Sequence, residues 1–152
     1  MCTSFMGELM TATHNFGTAP TRGTSTADTF KAALYLTTAT VNASTTAYSA
    51  TNEVSGTNYT AGGVSISGWN APTATNTSST AGVAFTTPTA SITYTSVTLS
   101  TAFDCVLIYN STQSNKAVSV HTFGSQTITA GTFTLTMPSN TTSTALLRLS
   151  TT

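Results

Sequence analysis

Acid–base, nucleophilic or metal chemistry in this chain can draw on few side chains: Cys2, Cys105, His14, His121, Glu8, Asp28, Glu53 and Asp104. A nucleophile needs a positioned base and a group that orients that base. Asp104 and Cys105 are neighbours on a predicted strand, so their side chains leave opposite faces and cannot pair. No Gly-x-Ser-x-Gly elbow surrounds any serine. Cys105 therefore reads as a small buried hydrophobe. The two Cys and two His lack zinc spacing, and the four acids lie at least twenty residues apart, which does not suit calcium. Gly56, Gly62 and Gly63 do not follow a strand and open a helix, as a phosphate cradle requires, so they read as turn glycines. His121 alternates away from Val118 and Val120 and is expected on an outer strand face. Cys2 and Cys105 could pair, but without a signal peptide they read as free thiols. The expectation is a protein that is not an enzyme and takes no cofactor and no metal.

The elements that would hold these residues are mostly short strands. Phe5, Met6, Leu9 and Met10 have helical spacing, with Ser4 as an N-cap and Gly17 beyond the end. Residues 17–27 are turn-rich and read as an arm. Phe30, Ala32, Leu34 and Leu36 alternate with Lys31, Ala33 and Tyr35, which is strand periodicity. Residues 37–63 are polar and too long for an ordinary connection. They form either a functional loop packed by its own aromatics or a segment hiding a short helix.

Further strands are expected at Val64 to Trp69, Val83 to Thr87, Ala90 to Leu99, Phe103 to Tyr109, Ala117 to Phe123, Gln126 to Ala130, Thr132 to Met137 and Ala145 to Leu149. Phe103 to Tyr109 is apolar on both sides, so it should be central or covered on its second face by the helix or another subunit. Eight or nine short strands in residues 1–152 predict a single mainly β domain. Its expected form is an antiparallel β-sandwich, jelly-roll-like, with a short N-terminal α-helix.

Composition narrows the function classes. The chain has 152 residues, 39 of them Thr, and only four basic and four acidic side chains that cancel. No basic stripe is present to neutralise phosphates, which argues against nucleic-acid and anionic-membrane partners. The longest apolar run, Val106 to Tyr109, is far short of the roughly 20 residues that span a bilayer. The first ten residues lack the pattern of an ordinary signal peptide. Ile, Leu, Val and Phe number 28 of 152, a share typical of disorder, but disorder also asks for high net charge, and here the apolar residues keep a period of two. Thr reconciles both facts, because its β-branch favours the pleat while its hydroxyl keeps the outer face wet. The sequons at Asn42, Asn58, Asn76, Asn110 and Asn140 are close to the number expected by chance in so Thr-rich a chain.

Two stretches carry a resemblance: DTFKAALYLTTATVNASTTAYSATNEVSGTNYTAGG, from Asp28 to Gly63, and LIYNSTQSNKAVSVHTFG, from Leu107 to Gly124. They resemble a family of small bacteriophage virion structural proteins. The resemblance implies a capsid cement or decoration protein on the outer surface of the shell, made in the host bacterial cytoplasm. Its implied partners are the phage major capsid protein and copies of itself, as a dimer or trimer. The helix and the 37–63 loop would supply the contacts, through Phe5, Met6, Leu9, Met10, Tyr48, Glu53 and Tyr59, joined by Trp69 at the end of the next strand. The Thr-, Ala- and Ser-rich segment from Trp69 to Ser96 departs from the family pattern and suggests a specialised exposed surface or contact arm. A neck or tail component is the alternative within the virion. From another class comes a host-surface carbohydrate-binding module, stacking sugars on Trp69, Tyr48, Tyr59 or Tyr94.

Overall fold

The computed structural model describes residues 1–10, 13–16, 27–77 and 80–150. The alternating FKAALYL run folds as strand β1, Phe30–Leu36, and the two-sided apolar run belongs to β5, Ile92–Asn110. β1 and β5 pair antiparallel from Phe30↔Asn110 to Leu36↔Phe103. On the other side of β5 runs β6, Lys116–Leu135, and a short β2, Val64–Ser65, flanks β1. The resulting order is β2-β1-β5-β6. A second antiparallel sheet joins β3 (Thr73–Thr77), β4 (Thr80–Thr86) and β7 (Leu147–Ser150) in the order β3-β4-β7. The chain is therefore mainly β, with a helical segment α1, Thr3–Met10, lying against β6.

Both faces of the β1–β5 pair are covered, as the FDCVLIY pattern requires. Residues opposed across an antiparallel pair share a face, so Tyr35, Ala33, Cys105, Leu107 and Tyr109 form one layer. Over it lies the 37–63 loop, with Tyr48 stacked on Tyr109 at 4.7 Å and the Tyr35 hydroxyl donating to Ser49 O at 2.5 Å. Leu34, Ala32, Phe30, Val106 and Ile108 form the other layer. There the far half of the β5–β6 hairpin folds back over the near half. The Phe133 ring meets Phe103 at 5.2 Å, and the Tyr94 hydroxyl donates to Ala32 O at 2.8 Å. Burial on both sides removes Phe103, Leu107 and Ile108 almost wholly from water, at about 1.5–3 kcal/mol for each such side chain.

Several expected boundaries move. Ala90 to Leu99 and Phe103 to Tyr109 are one strand, and Ala117 to Phe123, Gln126 to Ala130 and Thr132 to Met137 are another. The expected breaks are register shifts within a continuous ladder, including those between Leu99 and Phe103 and between Phe103 and Cys105. A bulge bends a strand without ending it, and these bends let the hairpin turn back on itself. Ser96 and Ala130 take positive φ in the same hairpin, at 53° and 48°. The expected Val64 to Trp69 strand shrinks to two residues. Ile66 N still bonds Phe30 O, but Trp69 leaves to form an isolated bridge with Pro88. β3 was not expected, because TATNT has no large apolar residue to mark a face; pairing with β4 makes it a strand. Ser4 lies inside α1 and is not its cap. The 37–63 segment contains no helix. Gly17 and the arm over residues 17–26 lie outside the described residues.

Candidate functional site

Two polar clusters gather four of the eight candidate side chains named at the outset, Glu53 in one and Glu8, His14 and Asp28 in the other. The first docks the 37–63 loop against the outer edge of β1. β2 satisfies that edge only as far as Ala32, and residues 52–54 rejoin it where Val54 N bonds Leu34 O and Leu36 N bonds Asn52 O. Between these two patches the Leu34 N–H would be an orphan donor. The Tyr59 hydroxyl accepts it at 3.0 Å and in turn donates a hydrogen bond to Glu53 Oε1 at 2.8 Å. Glu53 Oε1 also accepts the Gly62 N–H at 2.8 Å, while Oε2 accepts the Tyr48 hydroxyl at 2.7 Å. Opposite, the Tyr109 hydroxyl donates to Gly62 O at 2.8 Å. One carboxylate thus ties three loop positions to one strand.

Two glycines make this close approach possible. A Cβ at Gly63 would lie 1.7 Å from Ala32 O, and its φ of +69° already disfavours other residues. A Cβ at Gly56 would lie 2.0 Å from Thr98 O. Burial, with the Glu53 charge nearby, pushes the Tyr35 and Tyr109 phenols up to about 12, so they stay neutral donors.

The second cluster pins the N-terminal segment to the end of β5 and the start of β6. Lys116 Nζ donates to Glu8 Oε1 at 2.9 Å, and His14 Nε2 meets Glu8 Oε2 at 2.7 Å. His14 Nδ1 meets Asn110 Nδ2 at 3.1 Å, and Asn110 Nδ2 also donates to Asp28 Oδ2 at 2.7 Å. Burial acts to raise the Glu8 carboxyl, but the Lys116 and His14 bonds outweigh it and hold the group below its ordinary value. Around the network pack Phe5, Phe16, Phe30 and Trp69, with Phe16 stacked on Phe30 at 4.6 Å and edge-on to Trp69 at 4.9 Å. A cleft of about 370 Å³ separates this segment from the second sheet, walled by Phe5, Leu9, Phe16, Phe85 and Leu147, with exposed Met1 and Leu149 among its lining.

Six of the eight candidate contact residues fall into these two places. Phe5 and Leu9 line the cleft, with Trp69 behind Phe16; the side chains of Met6 and Met10 lie outside the described residues. Tyr48, Glu53 and Tyr59 belong to the loop dock. Phe5 is 2% exposed, and Glu53 and Tyr59 are half-buried, so much of their surface serves the chain's own packing. Tyr94 is 2% exposed, with Tyr59 stacked on it at 5.9 Å, and offers no face to a sugar. Trp69 is occupied edge-on by Phe16 and Phe30.

His121 departs from its expected position. It pairs with Val106, shares that covered face, and bonds Ser119 Oγ at 2.9 Å. His121 still alternates away from Val120, which pairs with Leu107, but the face it takes is not an outer one: Ile92, Leu135 and Met137 gather over Val106, Ile108 and His121. Cys2 and Cys105 are both free and buried, and burial pushes the Cys105 thiol up to about 11. Asn110 is fully buried, which excludes a glycan there. Its role escaped the sequence reading; the only signal was an amide closing an otherwise apolar strand. Among the described residues, no group of three or more His, Cys, Asp and Glu converges as metal ligands, and no helix is long and apolar enough to cross a membrane. No protein-family model, no curated protein and no solved structure matches the chain.

Proposed function

We propose that the chain is a non-enzymatic structural protein of a bacteriophage virion, a capsid cement or decoration protein that binds the outer surface of the major capsid shell and stabilises it. In this reading the two sheets and the N-terminal helix form a jelly-roll-like β-sandwich. The observation that carries the proposal is the outer edge of β6. β6 is twenty residues long; at its start Ala117 N bonds Thr46 O and Cys2 N bonds Val118 O, and beyond Val118 no strand pairs along that edge among the described residues. No charged side chain occurs from Ala117 to Leu135. Soluble proteins blunt such edges with Lys, Pro or short strands; an uncharged edge of this length suits pairing with another chain. Many weak contacts repeated on a lattice add up to firm attachment. The buried or bonded state of Glu8, His14, Glu53 and Cys105 agrees with a passive building block.

Purified particles test the proposal. A cement protein is present in hundreds of copies, and shells stripped of it rupture at lower temperature and recover when it is added back. About a dozen copies per particle would move the assignment to a neck or tail ring. Equal shell stability with and without the protein would count against capsid cementing.

A further inference from the structure

We propose that His14 is a proton-sensitive latch that holds residues 13–16 on the sheet near neutral pH and releases them in mild acid. The argument lies in hydrogen-bond roles. Asn110 Oδ1 accepts the backbone N–H groups of Thr112 and Gln113, both at 3.1 Å. Only the carbonyl end of an amide can accept, so these two bonds orient the side chain. Its Nδ2 end then faces Asp28 Oδ2 and His14 Nδ1 as a donor. His14 Nδ1 must be an acceptor without a proton, and the ring proton sits on Nε2, where it is donated to Glu8 Oε2.

A second proton can enter only at Nδ1, where it would point at the N–H of Asn110. Turning the amide does not help. It would abandon the Thr112 and Gln113 bonds and aim the Asn110 oxygen at the Asp28 carboxylate.

The charged groups facing the ring are Glu8 from α1, Asp28 from the segment before β1, and Lys116 from β6. The two carboxylates favour an imidazolium, while Lys116 opposes it. Phe5 at 4.8 Å, Phe16 at 6.2 Å and Phe30 at 6.5 Å pack around the imidazole. This burial is the leading influence on the ring, and the net effect places His14 below the ordinary histidine value. Protonation therefore drives His14 from its site. Asn15 is tied to Asp28 by its own N–H, at 2.9 Å from Oδ2, and by its O, which accepts the Asp28 N–H at 3.0 Å; release breaks these two bonds as well, and Phe16 leaves Phe30 and Trp69 with the segment. The latch is a property of this chain alone and stands whether or not the chain coats a capsid.

Trp69 is the single tryptophan of the chain, so its emission reports the docking of Phe16. On titration of the full chain from about pH 8 to about pH 5, emission is expected to shift to the red with a midpoint below about 6.5, while far-UV circular dichroism keeps its β signal. The His14 ring resonance in the same protein should titrate with the same midpoint. His14→Gln should show no pH-dependent shift, whether its segment stays docked or is undocked throughout, and His121→Gln should behave as wild type. Flat emission in the wild type, separate midpoints for His14 and Trp69, a transition that survives His14→Gln or is lost in His121→Gln, or loss of the β signal together with the shift would each overturn the proposal.

Discussion

Replacement of Glu53 tests whether one carboxylate holds the 37–63 loop. Glu53→Ala removes three charge-assisted bonds, from the Tyr59 hydroxyl at 2.8 Å, the Gly62 N–H at 2.8 Å and the Tyr48 hydroxyl at 2.7 Å. Tyr48 is half-buried and can turn its hydroxyl to water, so its share is small. Gly62 is buried and the Tyr59 hydroxyl is tied to the Leu34 N–H, so these two donors lose their partner with no substitute. Bonds to a charged group carry about 1.5–3 kcal/mol each, which puts the loss of these two at roughly 3–6 kcal/mol. For a chain of this size that corresponds to a fall in Tm of roughly 6–24 °C. Glu53→Gln keeps one acceptor for Tyr59 and Gly62, and Tyr48 can accept from the new amide, so it should cost only about 1–2 kcal/mol. Urea unfolding gives the assay: midpoints should rank wild type, Gln, Ala with equal slopes. A double-mutant cycle with Tyr59→Phe should show coupling of about 1 kcal/mol or more. A Glu53→Ala protein melting within about 1 °C of wild type would refute the reasoning.

Three other outcomes follow from the same geometry. Gly63→Ala should prevent normal folding, visible as loss of soluble expression or of near-UV dichroism, because its Cβ would meet Ala32 O at 1.7 Å with φ at +69°. A thiol reagent at neutral pH should modify neither Cys2 nor Cys105 until denaturant is added, since both are buried and Cys105 is raised to about 11. Burial lowers both His14 and His121. The unfolded chain therefore binds more protons than the folded one below about pH 6.5, and the urea midpoint should fall as pH drops through that range. Glu8, held below its ordinary value, extends the loss into the carboxylate range.

Long-range pairing explains where the sequence reading stopped. Phe30 to Leu36 and Phe103 to Tyr109 were legible because their side chains repeat at the spacing of the pleat. The loop dock was half legible: Tyr48, Glu53 and Tyr59 stood out in a polar stretch, yet nothing local says that a hydroxyl must serve Leu34 N. The His14–Asn110 contact joins residues 96 apart, and no spacing rule reaches that far. Ser100 to Ala102, Gly124 and Gly131 looked like ends of strands. Whether such residues end a strand or bulge it depends on the partner strand opposite, which exists only in the fold.

By itself, then, the sequence determined the β class, the two-sided central strand and the scarcity of charge, because periodicity and composition are local properties. Only the tertiary structure decided which edge stays open, which face His121 occupies, and which buried donors Glu53 and Asn110 must satisfy. Those depend on register, and register is settled by contacts between segments far apart in the chain.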